Sequence, residues 1–214
     1  TMQFTRAIRK RAKLRLALAG PSGSGKTYGA LTIAKGLGGR IAVIDTERGS
    51  ASLYSHLTEF DTLCLDPPYA PERFIEAVQA AEAAGYDVIV IDSITHEWNG
   101  SGGVLEIVDN IAKASRSGTG HNARNEGTRR HRPFSDALLQ SQSHIIATMR
   151  TKAAYVQEKN EKSGRTEIKK VGMAPEQRDG MEYEFTILLD IVNDSNIASA
   201  SKDRTGLFSS PNRI

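Results

Sequence analysis

The stretch Gly20-Pro21-Ser22-Gly23-Ser24-Gly25-Lys26-Thr27 constrains this chain more than any other. It matches the pattern Gly-x-x-x-x-Gly-Lys-Ser/Thr in full. It follows the short apolar run Leu14–Ala19 and precedes residues that suit a helix. The glycines let the turn close tightly, so that main-chain N–H groups point inward at an anion. The helix that follows adds its free N–H groups and positive dipole end. Lys26 is placed to reach the β- and γ-phosphates, and Thr27 to ligate Mg²⁺ through its hydroxyl, with Tyr28 just beyond. The expectation is a chain that binds a nucleoside triphosphate with Mg²⁺ and hydrolyses it.

The surrounding pattern fits an α/β fold. Strands are expected at Leu14–Ala19, Ile41–Ile44, residues 60–65, Val88–Ile91, Ser143–Thr148 and Glu184–Ile191, with an edge hairpin over 197–208. Such short apolar runs suit a mainly parallel sheet covered on both faces. Helices are expected at Lys26–Gly36, 49–57, Pro71–Ala84, Val104–Ile111 and Phe134–Gln142. The third has Pro at its start, Phe74, Ile75, Val78 and Ala81 on one face, and Gly85 as its stop. Residues 115–132 lack periodicity and read as a mobile loop. Residues 151–182 read as an irregular hairpin with its tip near Lys162-Ser163-Gly164. The expected organisation is a basic segment 1–13, one domain over 14–208 with mobile loops near 115–132 and 153–180, and a tail 209–214. Alternating strands and helices with short crossovers gather their chemistry at the carboxyl ends of the strands.

A metal held by Thr27 needs a carboxylate beside it. Asp92 ends the run Val88–Ile91 and is the natural candidate. Hydrolysis also needs a group to orient or deprotonate water. Glu47, just beyond the strand ending at Asp45, is placed ahead of its rival Asp45.

The formal charge is +3, too small to argue for a polyanion partner, but its distribution says more. The first 15 residues hold six Arg or Lys and no Asp or Glu; residues 116–132 hold five Arg and one Glu. Residues 150–170 hold seven Arg or Lys against three Glu. These excesses could meet phosphate backbones, and they could equally be solvated faces. The basic start, Arg6 to Arg15, could bind DNA, bridge subunits or be disordered. The single cysteine, Cys64, excludes an intrachain disulfide and is expected as a buried thiol. No apolar run is long enough to cross a bilayer.

Together these residues resemble the RecA-like ATPases, and more closely the small phage-encoded RecA-like ATPases of recombination and single-strand annealing. The resemblance rests on the phosphate loop, residues 44–49 (Ile-Asp-Thr-Glu-Arg-Gly), residues 90–93 (Val-Ile-Asp-Ser) and Ile145–Thr148. It rests further on His96-Glu97-Trp98, residues 147–152, residues 172–178 and residues 202–207. It implies a three-layer P-loop NTPase with a RecA-like core, ATP and Mg²⁺ as ligands, and Glu47 as the water-activating residue. Thr148 and Arg150 fall where the family senses the γ-phosphate. Lys202 and Arg204 resemble the basic pair that ring-forming members insert into a neighbouring subunit's site.

The resemblance also implies single-stranded DNA as partner, a homo-oligomeric ring or filament, possible cooperation with a single-strand-binding protein, no membrane, and a cytoplasmic location in an infected bacterial host. Candidate DNA contacts are Arg116, Arg124, Arg129, Arg130 and Arg132 on the first loop, and Lys159, Lys162, Arg165, Lys169 and Lys170 on the second. Backbone contact without sequence reading is the expected mode. Two other readings stay open from the residues: a nucleotide-switched interaction module with negligible turnover, and a small-molecule or nucleotide kinase.

Overall fold

The computed structural model describes residues 6, 12–114, 120–159, 166–193 and 195–208. The central sheet is built from β1 (Arg15–Gly20), β2 (Ile41–Asp45), β3 (Asp61–Cys64), β4 (Val88–Asp92), β5 (His144–Lys159), β6 (Thr166–Pro175), β7 (Ile187–Ile191) and β8 (Ala198–Asp203). The strand order is β3-β2-β4-β5-β1-β7-β8, with β6 paired to β5 off this path. Pairs from β3 through β7 are parallel; β7–β8 and β5–β6 are antiparallel.

The helices are α1 (Lys26–Leu37), α2 (Pro71–Ala83), α3 (Thr95–Asn99), α4 (Val104–Ala114), α5 (Gly120–Gln140) and α6 (Met181–Glu184), with a 3-10 turn at Ser50–Tyr54. Alternate strand residues feed two cores, one on each face. Leu16, Leu18, Val43, Val88 and Val90 pack with Ala30, Leu31 and Ala34 of α1. Ala17, Ala19, Ile44, Ile89 and Ile91 pack with Phe74 and Val78 of α2 and with Phe134 and Leu138 of α5. This gives the expected three layers: the inner parallel strands are largely apolar on both sides because helices cover both sides, while edge strand β3 is exposed. Parallel register brings the carboxyl ends of β1, β2 and β4 to one edge beside Arg150 of β5, with Asp45 and Asp92 paired there.

Three expectations are corrected. The segment 115–132 is not a loop from 120 onward: it is the first half of α5, which runs through Pro133 to Gln140. Its buried stripe is Ala123, Gly127, His131, Phe134 and Leu138, a helical spacing. Gly127 is needed there, because a Cβ would lie 2.5 Å from Val108 Cγ2 of α4. The segment 153–180 is not a mobile loop but the irregular hairpin expected over 151–182, with β5 and β6 paired from Thr151 and Pro175 out to Lys159 and Thr166 and a register shift between Ala154 and Tyr155. The expected tip, 162–164, lies outside the described residues. Cys64 is exposed on edge strand β3, not buried.

Arg15, expected within a basic surface segment, is buried on β1. Its guanidinium donates to the carbonyls of Leu139, Ser141, Leu14 and Ser143, closing the end of α5 against the sheet. Burial pulls its pKa down, with Glu82 opposing.

Candidate functional site

Geometry at the β1–α1 turn explains its glycines. A Cβ on Gly20 would lie 2.5 Å from Ser24 Oγ and 2.8 Å from the Ile191 carbonyl. Gly23 and Gly25 hold φ of 80° and 89°, where side chains are strained. Lys26 is buried and folds back so that Nζ donates to the Pro21 carbonyl at 2.7 Å. Burial lowers its pKa, and Asp92 and Glu47 oppose that. Asn196, in the β7–β8 turn, donates to the Ser24 carbonyl at 3.0 Å and braces the loop from outside.

Asp92 ends β4 with almost no exposed surface. Its two carboxylate oxygens accept from the hydroxyls of Thr27 (2.6 Å) and Thr148 (2.5 Å). Burial pushes its carboxyl up, and these two hydroxyls pull it back.

Beyond β2, Asp45 and Glu47 part company. Asp45 is buried, and its oxygens accept the main-chain N–H groups of Glu47 (2.6 Å) and Ala51 (2.9 Å). It is used up in capping the 3-10 turn. Glu47 instead faces the cavity, where its Oε1 accepts from Nε and Nη2 of Arg150 at 3.1 and 2.8 Å. The Arg150 main-chain N–H is in turn held by the Thr95 hydroxyl at 2.9 Å.

A cavity of about 200 Å³ is lined by Ser22, Gly23, Gly25, Lys26, Thr27, Glu47, Asp92 and Arg150, closed at one side by Ser50, Leu53 and Tyr54. A larger cavity, about 520 Å³, lies between α5 and α6 and holds none of these groups. The smaller one carries the phosphate-loop chemistry. The residues fit a small hard cation: a hydroxyl and a carboxylate converge, both oxygen donors, beside a loop built to cradle anions. Thr27 and Asp92 are the residues that could hold it, and Ser93 Oγ, buried beside Asp92, has no hydrogen-bond partner among the described residues.

Several expected residues sit elsewhere. Tyr28 is half exposed on α1, edge-on to Tyr54 at 6.3 Å, outside the phosphate cavity lining. Lys202 and Arg204 do not line the cavity of their own chain. Lys202 donates to the Tyr183 carbonyl on α6, and Asp203 between them takes the N–H groups of Thr205, Gly206 and Phe208 to shape a turn. Arg124 and Arg132 are exposed on α5. Arg129 pairs with Glu126 at 2.9 Å. Arg130 is gripped by both oxygens of Glu72 on α2 at 2.7 Å each, so it helps dock two helices. Arg116, Lys162 and Arg165 lie outside the described residues; Lys159, Lys169 and Lys170 lie on the β5–β6 ladder.

Sequence reasoning missed Thr46, Thr95, Tyr54 and the partners of Glu97. Thr46 extends the β2–β4 ladder, its N–H donating to the Asp92 carbonyl at 2.8 Å. Its hydroxyl accepts from the Ser93 N–H at 2.8 Å and lies 2.7 Å from His96 Nδ1. His96 stacks on Tyr69 at 4.9 Å, and burial lowers its pKa. A Thr after a strand-end Asp carries no signal of its own. Tyr54 had one: a ring following the expected turn beyond Glu47.

A family model described as an AAA domain matches residues 12–214. Among solved structures, the chain is similar to one titled "Crystal structure of the RadB recombinase", at 17% identity and a TM-score of 0.51. That match covers 91% of this chain and 83% of the other, and it shows the shared RecA-like fold. No curated protein sequence matches the chain. Among the described residues no helix is long and apolar enough to cross a membrane.

Proposed function

Because the chain belongs to the AAA-domain family across residues 12–214, we propose that it is an Mg²⁺-dependent ATPase whose turnover is coupled to assembly on single-stranded DNA. The observation that carries this is the convergence of Lys26, Thr27, Asp92 and Glu47 on one cavity at the carboxyl edge of the sheet. Family membership supports nucleotide binding.

The N–H groups of the Gly20–Thr27 turn receive the β- and γ-phosphates, and Lys26 exchanges the Pro21 carbonyl for phosphate oxygens. Thr27 and Asp92 would hold Mg²⁺, which would neutralise charge on the phosphoryl oxygens. Leu53 and Tyr54 offer the base an apolar edge and a ring. Glu47 accepts a proton from the attacking water as it adds to the γ-phosphorus, and ADP leaves. For this its carboxylate must be freed from Arg150, and an arriving γ-phosphate competes for that same guanidinium. Lys202 and Arg204 complete the site from a neighbouring subunit, where cations stabilise charge as the phosphoryl group moves.

The partner reading rests on exposed Arg124 and Arg132 of α5 and on the basic β5–β6 ladder, in the setting of phage recombination or annealing. The test is ATP turnover by purified protein with and without single-stranded DNA. The expected result is Mg²⁺-dependent release of phosphate, faster with DNA. Transfer of phosphate to a small acceptor without net hydrolysis would overturn it, and so would negligible turnover with nucleotide bound.

A further inference from the structure

Behind the phosphate site lies a buried polar cluster that the proposed reaction does not use. Glu97 of α3 has none of its surface exposed. Its two oxygens stand 3.0 and 3.2 Å from Nδ1 of His131 on α5, itself almost fully buried. A carboxylate and a ring nitrogen at that separation hold a proton between them. Gln177, buried in the turn after β6, joins them. Its Nε2 donates to the Ile94 carbonyl at 2.8 Å and to Glu97 Oε2 at 3.3 Å, while its Oε1 accepts the Arg178 N–H at 2.7 Å. One carboxylate thus ties together α3, α5 and the end of the β5–β6 hairpin.

The other side of α3 faces the chemistry. Ile94 N–H donates to the Thr148 carbonyl at 3.1 Å, and the Thr95 hydroxyl holds the Arg150 N–H. Arg150 holds Glu47. Hydrogen bonds linked through the Ile94–Thr95 main chain and the Arg150 side chain therefore connect His131 and Gln177 to Glu47. A buried acid–imidazole pair is costly to desolvate and is often no more stabilising than apolar packing of the same volume. On the far side of His131, the cavity of about 520 Å³ lined by Arg132, Ser135, Arg178 and Met181 leaves α5 and α6 room to shift.

We propose that Glu97 is a positioning residue that relays the DNA-bound state to the water-activating group. A strand held by α5 and the β5–β6 hairpin displaces His131 and Gln177. Glu97 carries that displacement to α3, and α3 resets Arg150 and so releases Glu47. This rests on the DNA-stimulated turnover proposed above.

The test compares wild type with Glu97→Gln, His131→Gln, their double variant and Gln177→Met, all as full chains. The readouts are ATP turnover with and without single-stranded DNA, and affinities for nucleotide and for DNA. The relay predicts that basal turnover and both affinities stay within about two-fold of wild type while stimulation by DNA falls toward one-fold. The double variant should lose no more than either single one, since the two act as a unit. Stimulation retained in all of them would overturn the relay and leave the cluster merely structural. Wild type that DNA does not stimulate would instead overturn the partner reading, and the relay with it. Should Glu97→Gln fail to fold, Gln177→Met, which changes no charge, decides alone.

Discussion

Glu47 and Arg150 lie 103 residues apart in sequence, yet one carboxylate oxygen of Glu47 accepts two hydrogen bonds from the Arg150 guanidinium. The pair is partly solvated, with side chains 26% and 37% exposed, so its contribution to stability is small. Its meaning is chemical. The proposed base is held oriented by the cation that an incoming γ-phosphate would attract. Glu47→Gln should lower ATP turnover by about 10²–10⁴-fold with nucleotide affinity kept, since a general base is removed but no phosphate contact. Arg150→Lys should not restore what Arg150→Ala loses, because an ammonium cannot offer the fixed fork. Phosphate release and equilibrium nucleotide binding, measured side by side, check both.

The buried Asp92 carboxyl gives a pH signature. Burial raises its pKa above the ordinary aspartate value of about 3.9. Such a group contributes stability that is full below the unfolded value and is lost as pH rises through the folded one. Ionising this buried carboxyl therefore costs the nucleotide-free protein stability as pH rises, and Mg²⁺ with nucleotide would offset the charge. The gain in Tm on adding both should grow as pH rises from acid to neutral. Thr148→Val removes one hydroxyl that favours the ionised form, so the onset of that gain should move to higher pH. Melting curves across pH, with and without the ligands, decide this.

What could be read from the sequence divides along physical lines. β2 and β4 are short all-apolar runs because both faces of the sheet are covered, so Ile41–Ile44 and Val88–Ile91 announced themselves. α5 did not. Its buried stripe is Ala123, Gly127, His131, Phe134 and Leu138, helical in spacing but mostly small or polar in its first half. Arg15 and Arg130 counted toward basic excess, whereas one caps carbonyls and the other is spent on Glu72, 58 residues away. That the loop, Asp92 and Glu47 meet at one cavity was legible because the loop and Glu47 follow strands and Asp92 ends one. The Glu97–His131 pair was not, since nothing local links two residues 34 apart.

Gly127 shows packing overriding helix propensity. Replacing glycine by alanine inside a helix gains about 1 kcal/mol in isolation. Here the new Cβ would meet Val108 Cγ2 at 2.5 Å and Val104 Cγ1 at 3.3 Å, and overpacking typically costs about 1–3 kcal/mol. Gly127→Ala should therefore be net destabilising, and adding Val108→Ala should recover part of the loss. Urea unfolding of wild type and the two variants tests it; a more stable Gly127→Ala protein would contradict the close α4–α5 contact.

Lys202 and Arg204 sit away from the cavity of their own chain, so a role in turnover requires a neighbour. A Lys26→Ala protein lacks a working phosphate loop but keeps its fingers. A Lys202→Ala/Arg204→Ala protein keeps its loop but lacks fingers. Mixed, the two should regain a fraction of wild-type turnover that neither shows alone, since a lone intact interface can form between them. Turnover titrated against mixing ratio reads this out, and a flat line at zero would remove the trans assignment.

Arg130 and Arg132 are near neighbours in sequence with opposite expected roles in DNA binding. Arg130 is fixed bidentately to Glu72, and moving it to a phosphate would leave that carboxylate unpaired between α2 and α5. Arg132 is exposed on α5 beside the cavity between α5 and α6. Each phosphate neutralised by a cation contributes about 0.7 to the slope of log affinity against log salt for single strands. Arg132→Ala should thus weaken binding uniformly across DNA sequences and make the salt slope shallower by about that amount. Arg130→Ala should leave the slope unchanged and lower the melting temperature through the lost α2–α5 contact. If Arg130→Ala flattened the salt dependence and Arg132→Ala did not, the strand would have to run over the α2 side of the helix, and the proposed track across α5 would be on the wrong face.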